Sequence, residues 1–141
     1  MKKVLILGGG FGGIRAALDL EKKLKGKAQI TLIDRNGYHL FLPALYEVAS
    51  AYDPKKDPFS VRLKKSICIP YSSVFEGKGI NFIQDEITSV DLKNKKVFAD
   101  ARMFEYDYLV MALGSQINDF SIPGVKEYAY QFKSLQDALM V

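Results

Sequence analysis

Two short apolar runs near the amino terminus are separated by glycines and by a mixed, amphipathic stretch. Residues 4–7 are all apolar and lead directly into glycines. A second, mostly apolar run at residues 30–33 ends at Asp34, and residues 28–34 are predicted to form a strand. A continuous apolar run is typical of a strand that is buried on both faces, as in a parallel sheet. Apolar positions recur at helical spacing from Phe11 to about residue 25, where Gly26 ends the pattern. The pattern predicts a strand–helix–strand unit.

The same reasoning predicts two more core strands and an insertion between them. Residues 80–83 read as a third parallel strand and residues 106–112 as a fourth. The segments 87–91, 96–99 and 101–105 alternate in polarity and are separated by polar turns, which indicates a three-stranded antiparallel meander. The predicted fold class is therefore α/β, with a parallel sheet and an inserted meander.

Shorter helices are predicted in the remaining chain. One fits residues 44–50, a second begins at Pro70 and ends near residue 75, and a last one covers residues 135–141 with Ser134 as its cap. Residues 51–66 are polar and contain two prolines, so they predict a surface excursion.

A glycine motif connects the first strand to the first helix. Gly8, Gly10 and Gly13 fit G-x-G-x-x-G, and Asp34 lies twenty-one residues beyond the last of them. This spacing is the dinucleotide-binding fingerprint of a Rossmann-like domain, in which the second glycine leaves room for a pyrophosphate and the acid accepts hydrogen bonds from a ribose. A phosphate-binding P-loop is excluded because Ile14 and Arg15 stand where Lys and Ser or Thr are needed.

Composition and charge narrow the class of protein. The chain has 141 residues, a net charge of +4 and 48% hydrophobic residues, which suits one globular domain. Its lysines are scattered, so a nucleic-acid surface is not expected. A single cysteine, Cys68, excludes an internal disulfide and suits a reducing compartment. No apolar run approaches the length of a membrane span, and a cytoplasmic location is expected.

Two longer segments, together with the glycine motif, resemble a known group of flavoproteins. Residues 107–115 are similar to a strand ending in Ala-x-Gly that the two-dinucleotide-binding flavoprotein oxidoreductases, or pyridine nucleotide-disulfide oxidoreductases, carry in their flavin domain. Residues 34–49 resemble, more narrowly, the type II NADH dehydrogenases. Ala44 departs from that pattern, which usually has a bulkier aliphatic residue there. The resemblance covers almost the whole chain.

The resemblance implies that the fingerprint binds FAD. It implies that the glycine loop holds the pyrophosphate, that Asp34 binds the adenosine ribose and that Arg35 lies beside the adenine. It also places the Ile87 main chain at the adenine, residues 112–114 near the phosphates, and Phe41 and Pro43 at the approach to the isoalloxazine. The full set of expected cofactor-binding residues is Gly8, Gly10, Phe11, Gly12, Gly13, Asp34, Arg35, Phe41, Pro43, Ile87, Ala112, Leu113 and Gly114.

The implied activity belongs to a larger protein. The family passes electrons from NADH through FAD to a quinone, and residues 1–141 correspond to the N-terminal portion of its FAD-binding domain. The nicotinamide-binding and C-terminal domains are not in this sequence, so the segment by itself is expected to be inactive. The complete protein would bind the inner face of the membrane peripherally. Sulfide:quinone reductases, ferredoxin reductases and a non-catalytic NAD-binding or interaction module remain alternatives.

No acid, base, nucleophile or metal ligand is assigned in this chain. His39 is the only histidine, and a hydrogen-bonded structural role is expected for it. Cys68 lacks a second cysteine for a redox pair and is expected to pack as a small residue. The strand near residues 107–112 is expected to form a bare sheet edge, which favours dimerisation.

Overall fold

The computed structural model describes residues 1–51 and 65–140. These residues form two compact units. The first combines Met1–His39 with Pro70–Gly114, and the second combines the described parts of Leu40–Ile69 and Ser115–Val141.

The elements follow in chain order. The strands are β1 (Lys2–Leu7), β2 (Ala28–Asp34), β3 (Tyr38–Leu40), β4 (Cys68–Pro70), β5 (Ile80–Gln84), β6 (Ile87–Asp91), β7 (Lys96–Ala99), β8 (Met103–Glu105) and β9 (Tyr108–Met111). The helices are α1 (Phe11–Leu24), α2 (Leu45–Ala51), α3 (Tyr71–Val74), α4 (Val125–Tyr128) and α5 (Leu135–Met140), and a 3₁₀ turn at Leu42–Ala44 precedes α2.

A four-stranded parallel sheet is the centre of the first unit. Its order is β5-β2-β1-β9, so β1 lies inside the sheet and β9 at one edge. The register sets Leu7 of β1 opposite both Ile33 of β2 and Met111 of β9. The carboxyl ends of three strands are therefore level. The predicted α/β class and the parallel sheet are confirmed.

The two faces of this sheet carry separate cores. Val4, Ile6, Ile30 and Leu32 pack with α1 and α3, whereas Leu5, Leu7 and Ile33 pack with the meander. Because successive side chains of a strand point to opposite faces, both faces must be covered, and this explains the continuous apolar runs.

The meander predicted between the third and fourth core strands is confirmed as β6-β7-β8, with antiparallel pairing throughout. Buried Asp85 attaches it to the end of β5, because its Oδ1 accepts the amide N–H groups of Glu86 and Ala101. The other oxygen, Oδ2, has no aligned hydrogen bond but lies 3.3 Å from Nε of Arg102, which balances its charge.

The second unit has its own small core of Leu45, Val48, Ile67 and Ala138, formed by α2, α5 and the chain before β4. Ser134 caps α5 as predicted, since its hydroxyl accepts the N–H of Asp137 at 3.1 Å. Asp137 returns the bond by accepting the N–H of Ser134 at 2.7 Å, which completes a reciprocal cap.

Some elements differ from the predictions. The two-stranded sheet of β3 and β4 was not expected, and no helix was predicted where α4 lies. Most of the surface excursion predicted for residues 51–66 lies outside the described residues. Within residues 1–51 and 65–140, no helix has the length and apolar character needed to cross a membrane.

Candidate functional site

The candidate site lies at the level edge of the parallel sheet. Gly8, Asp34 and Ala112 come at or directly after the carboxyl ends of β1, β2 and β9. In open α/β sheets this edge is where ligands bind. The segment from Gly8 to Gly13 is here called the glycine loop, and α1 begins inside it.

Three glycines of the loop are required by packing within the protein. Gly8 has φ +94°, and a side chain on it would overlap the Ala112 carbonyl. A side chain on Gly13 would overlap the Gly8 carbonyl, and one on Gly9 would overlap the hydroxyl of Tyr71. Gly8, Gly9 and Gly13 are accordingly buried.

Gly10 differs from these three. It is exposed, its φ is −69°, and no described atom beyond its chain neighbours lies within 4 Å of the position that a Cβ would occupy. A Cβ on Gly12 would make only ordinary contact, with the Ala112 methyl at 3.9 Å. The space beside Gly10 is therefore open for a group that lies against the main chain, which is the fit expected for a pyrophosphate.

The same space faces the start of α1. Gly10 is the N-cap of this helix and makes no capping bond through a side chain. The N–H groups in the first turn of any helix lack an acceptor inside that helix, and the helix dipole is positive there. This arrangement is suited to binding an anion.

Asp34 takes part in the architecture of the loop. Its Oδ2 accepts the Gly9 N–H at 2.6 Å and its Oδ1 accepts the Asn36 N–H at 2.8 Å. An ionised carboxylate has about four lone-pair sites, so roughly two remain available for a ligand. The half-buried Asp34 side chain can thus hold the loop and still accept hydrogen bonds from a diol.

Gly9 is a residue that the motif does not specify, and it is the most constrained of the loop. In addition to the bond from its N–H to Asp34, its carbonyl accepts the Tyr71 hydroxyl at 2.7 Å and faces Nδ1 of His39 at 3.1 Å. A carbonyl oxygen can only accept, so Nδ1 of His39 carries the hydrogen in this contact.

Both side chains that reach the Gly9 carbonyl are buried. Tyr71 is 1% exposed, and its ring packs against Phe75 and Phe82 with centroids 5.9 and 4.4 Å away. Burial, and secondarily the negative charge of Asp34, raises the pKa of the Tyr71 hydroxyl, so it remains a donor at ordinary pH. His39 is 6% exposed, and its ring makes a T-shaped contact with the Phe11 ring, with the ring centroids 4.7 Å apart. The expected hydrogen-bonded role of His39 agrees with this geometry.

The predicted residues after β9 also meet the loop. Ala112 donates its N–H to the Leu7 carbonyl at 2.8 Å, and its own carbonyl and methyl adjoin Gly8 and Gly13. Leu113 and Gly114 follow as exposed residues, with φ +77° at Gly114.

Arg35 and Ile87 make their contacts with residues outside the glycine loop. Arg35 is exposed and has its guanidinium 3.9 Å from the Glu86 carboxylate. Its carbonyl accepts the amide of Gln84 at 3.1 Å. Ile87, the first residue of β6, is half-buried and packs against the core on the meander's side of the parallel sheet.

Phe41 and Pro43 belong to the second unit. The Phe41 amide donates to the Ile67 carbonyl at 2.7 Å, and its side chain is 39% exposed. Pro43 lies in the 3₁₀ turn before α2 and is also exposed.

Sequence reasoning missed Gly9 and Tyr71 as parts of the site. Gly9 occupies a free position of G-x-G-x-x-G, so the motif drew no attention to it. Tyr71 is 62 residues away from Gly9 in the chain. Only the run of three glycines at residues 8–10 hinted that the middle one is required.

Comparison with known proteins finds similarity to one family of oxidoreductases. A model of the pyridine nucleotide-disulphide oxidoreductase family matches residues 2–140. The type II NADH:quinone oxidoreductase of Staphylococcus saprophyticus is 34% identical over 138 residues, which are 97% of this chain and 32% of the relative. The same enzyme from Staphylococcus aureus is 33% identical over 135 residues, or 95% of this chain and 31% of the relative. The chain thus spans about a third of the length of these curated relatives.

Solved structures share the fold. NDH2 from Plasmodium falciparum, determined in complex with NADH, has a TM-score of 0.78 and 29% identity, covering 99% of this chain and 27% of that one. The sulfide:quinone oxidoreductase of Aquifex aeolicus has a TM-score of 0.75 and 28% identity, covering 99% and 30%.

Proposed function

This chain belongs to the pyridine nucleotide-disulphide oxidoreductase family, and we propose that it is the FAD-binding segment of an enzyme that oxidises NADH and reduces a quinone. The family uses FAD. When bound, FAD supplies the redox chemistry, while the protein supplies binding, orientation and electrostatics.

The open space at Gly10 is the observation that carries the proposal. Packing among the described residues accounts for glycine at positions 8, 9 and 13, but not at position 10. A ligand that approaches the main chain closely would account for it. The adjoining helix start and the Asp34 carboxylate then match the two polar parts of a dinucleotide, its pyrophosphate and its ribose.

Roles follow for the chain's own residues. The glycine loop would hold the pyrophosphate through its main chain, with Phe11, Gly12 and the segment Ala112–Gly114 beside it. Asp34 would accept the ribose hydroxyls, and its bond to Gly9 would keep the carboxylate in position. Arg35 and the Ile87 main chain would contact the adenine. By the resemblance, Phe41 and Pro43 would lie at the approach to the isoalloxazine.

The choice of NADH and quinone rests on the curated relatives, which are type II NADH:quinone oxidoreductases. The similarity to the Aquifex aeolicus enzyme favours sulfide:quinone oxidoreduction as the second candidate. The two candidates share the FAD-binding segment and differ in the electron donor. In the complete protein, oxidation of NADH rather than sulfide would separate them.

Cofactor binding is tested directly on this chain. The purified protein is titrated with FAD, NAD and FMN, and binding is followed by flavin fluorescence or calorimetry. FAD should bind more tightly than FMN, because of these two flavins only FAD carries a pyrophosphate and an adenosine ribose. Binding of NAD without FAD would contradict the proposal and favour an NAD-binding module.

A further inference from the structure

The Gly9 carbonyl is held from two sides by residues that lie outside the glycine motif. The Tyr71 hydroxyl and Nδ1 of His39 both donate to it, at 2.7 and 3.1 Å. A carbonyl oxygen has two lone pairs, so these two bonds occupy both. The donors come from α3 and from β3, which are distant from the loop in the chain.

The direction of this carbonyl determines the direction of the next amide. The peptide group is planar and trans, so the C=O of Gly9 and the N–H of Gly10 point in opposite directions. Because the carbonyl is turned into the core toward Tyr71 and His39, the Gly10 N–H is turned away from the core. That side is the open space where no described atom beyond the adjoining residues lies within 4 Å of the Gly10 Cβ position.

A peptide between two glycines needs such an external constraint. Glycine has access to far more backbone conformations than other residues, so a Gly–Gly peptide has little intrinsic preference for one orientation. Asp34 fixes only the preceding peptide, through the Gly9 N–H. The Gly9–Gly10 peptide is fixed on its carbonyl side by Tyr71 and His39.

We propose that Tyr71 and His39 form a clamp on the Gly9 carbonyl that directs the Gly10 N–H toward the pyrophosphate of the dinucleotide. This inference rests on the proposed function. The two side chains are buried at 1% and 6% exposure and act through the main chain. They are positioning residues of the pyrophosphate site, and they lie outside the fingerprint that identifies the site in the sequence.

The first test removes the Tyr71 hydroxyl. Tyr71→Phe keeps the ring that packs against Phe75 and Phe82, and Tyr106→Phe removes the same hydroxyl from a buried tyrosine in the other core. The affinities of the chain for FAD, ADP and adenosine are measured by titration. Loss of one hydrogen bond of about 1 kcal/mol should weaken FAD and ADP about fivefold. Adenosine, which has no pyrophosphate, should bind as before, and Tyr106→Phe should change none of the three affinities.

The second test concerns His39 and uses a conservative rescue. His39→Asn places an amide N–H close to the position of Nδ1, whereas His39→Leu has no donor. ADP affinity should be retained in the Asn variant and reduced about fivefold in the Leu variant. Combining Tyr71→Phe with His39→Leu should weaken ADP by more than the product of the two single effects, because the carbonyl then keeps neither of its two donors.

A third test observes the glycine loop directly by NMR. The Gly10 amide signal in ¹⁵N-resolved NMR spectra should shift on addition of ADP in the wild type and in Tyr106→Phe. The shift should be diminished in the double variant. Equal ADP affinity in all variants, or equal losses for ADP and adenosine, would overturn the clamp. Failure of the wild type to bind FAD would contradict the proposed function, and the ADP and NMR measurements would still decide the clamp.

Discussion

At the scale of single residues, Gly9 and Gly10 are adjacent but serve different purposes. Gly9 makes hydrogen bonds with Asp34, Tyr71 and His39, and a side chain there would collide with Tyr71. The Cβ position of Gly10, by contrast, faces open space among the described residues. A substitution at each therefore separates the requirements of the fold from those of a ligand.

Gly10→Ala is predicted to change binding far more than stability. Its methyl enters open space, so the free energy of unfolding should change by less than about 1 kcal/mol, the usual effect of alanine at an N-cap. FAD affinity should fall by about tenfold or more, because the methyl occupies the pyrophosphate's place. Gly13→Ala is the control and should destabilise the fold by about 1–3 kcal/mol through its overlap with the Gly8 carbonyl. Urea unfolding and FAD titration check both, and normal FAD affinity in Gly10→Ala would contradict the site.

Asp34→Ala is predicted to weaken FAD binding about tenfold or more, since charged hydrogen bonds to a ribose are lost. The structure adds a second cause, because the Gly9 N–H loses its acceptor. Asp19→Ala is the matched control, as Asp19 is a carboxylate on the exposed side of α1 that pairs with Arg15. Its FAD affinity should remain at the wild-type value. An unchanged affinity in Asp34→Ala would exclude the assigned role.

At the scale of elements, Asp107 aligns the edge strand β9 with β1. Its carboxylate accepts the Lys3 N–H at 2.7 Å and the Lys2 ammonium at 2.9 Å, and its own N–H donates to the Lys3 carbonyl. These contacts lie at the beginning of the pairing between β1 and β9, whose register places Ala112 beside the glycine loop. The Lys3 hydrogen bond, followed by the Lys2 contact, lowers the pKa of the Asp107 carboxyl.

That lowered pKa predicts acid sensitivity. The folded state favours ionised Asp107, so the stabilisation is present above the unfolded-state pKa of about 4 and is lost as the pH falls through the lower folded-state value. Asp107→Asn should unfold more easily than the wild type at neutral pH and lose less stability on acidification. Asp100→Asn is the control, because the Asp100 side chain has no hydrogen bond or ion pair with any described residue. Urea midpoints measured at neutral pH and at about pH 3 check this, and parallel pH profiles for Asp107→Asn and the wild type would contradict it.

At the scale of the whole molecule, each of the two units has its own core, and the sheet of the first ends in an open edge. β9 pairs with β1 on one side, and no other described strand pairs with it. Tyr108 and Met111 on this strand are each 60% exposed. Unpaired edges are templates for further pairing, and charged side chains on the edge discourage it.

The chain is therefore predicted to self-associate with increasing concentration through β9. Tyr108→Lys should shift the equilibrium toward monomer, whereas Tyr46→Lys, at an equally exposed tyrosine of the second unit (61%), should leave it unchanged. Sedimentation velocity over a wide concentration range checks the prediction. A monomer at all concentrations would contradict it.

The sequence by itself determined the elements whose causes are local. Apolar runs at residues 4–7 and 30–33 predicted strands buried on both faces, and alternation over residues 87–105 predicted the meander. The glycines and Asp34 identified a dinucleotide fingerprint. These inferences succeed because backbone preference and hydrophobic periodicity are properties of neighbouring residues. The same dependence explains what was missed. β3, β4 and α4 are only three or four residues long, which is too short to show a hydrophobic periodicity.

Only the tertiary structure decided what meets at Gly9. Its partners lie 25, 30 and 62 residues away along the chain, in three different segments. No local pattern marks Tyr71 as a donor to the loop, because its place depends on how α3 packs on the sheet beside Phe75 and Phe82. Likewise, the register of β1 with β2 and β9 brings Asp34 and Ala112 level with the loop. The composition of the site could be read from the chain, but the orientation of its main chain results from packing between distant segments.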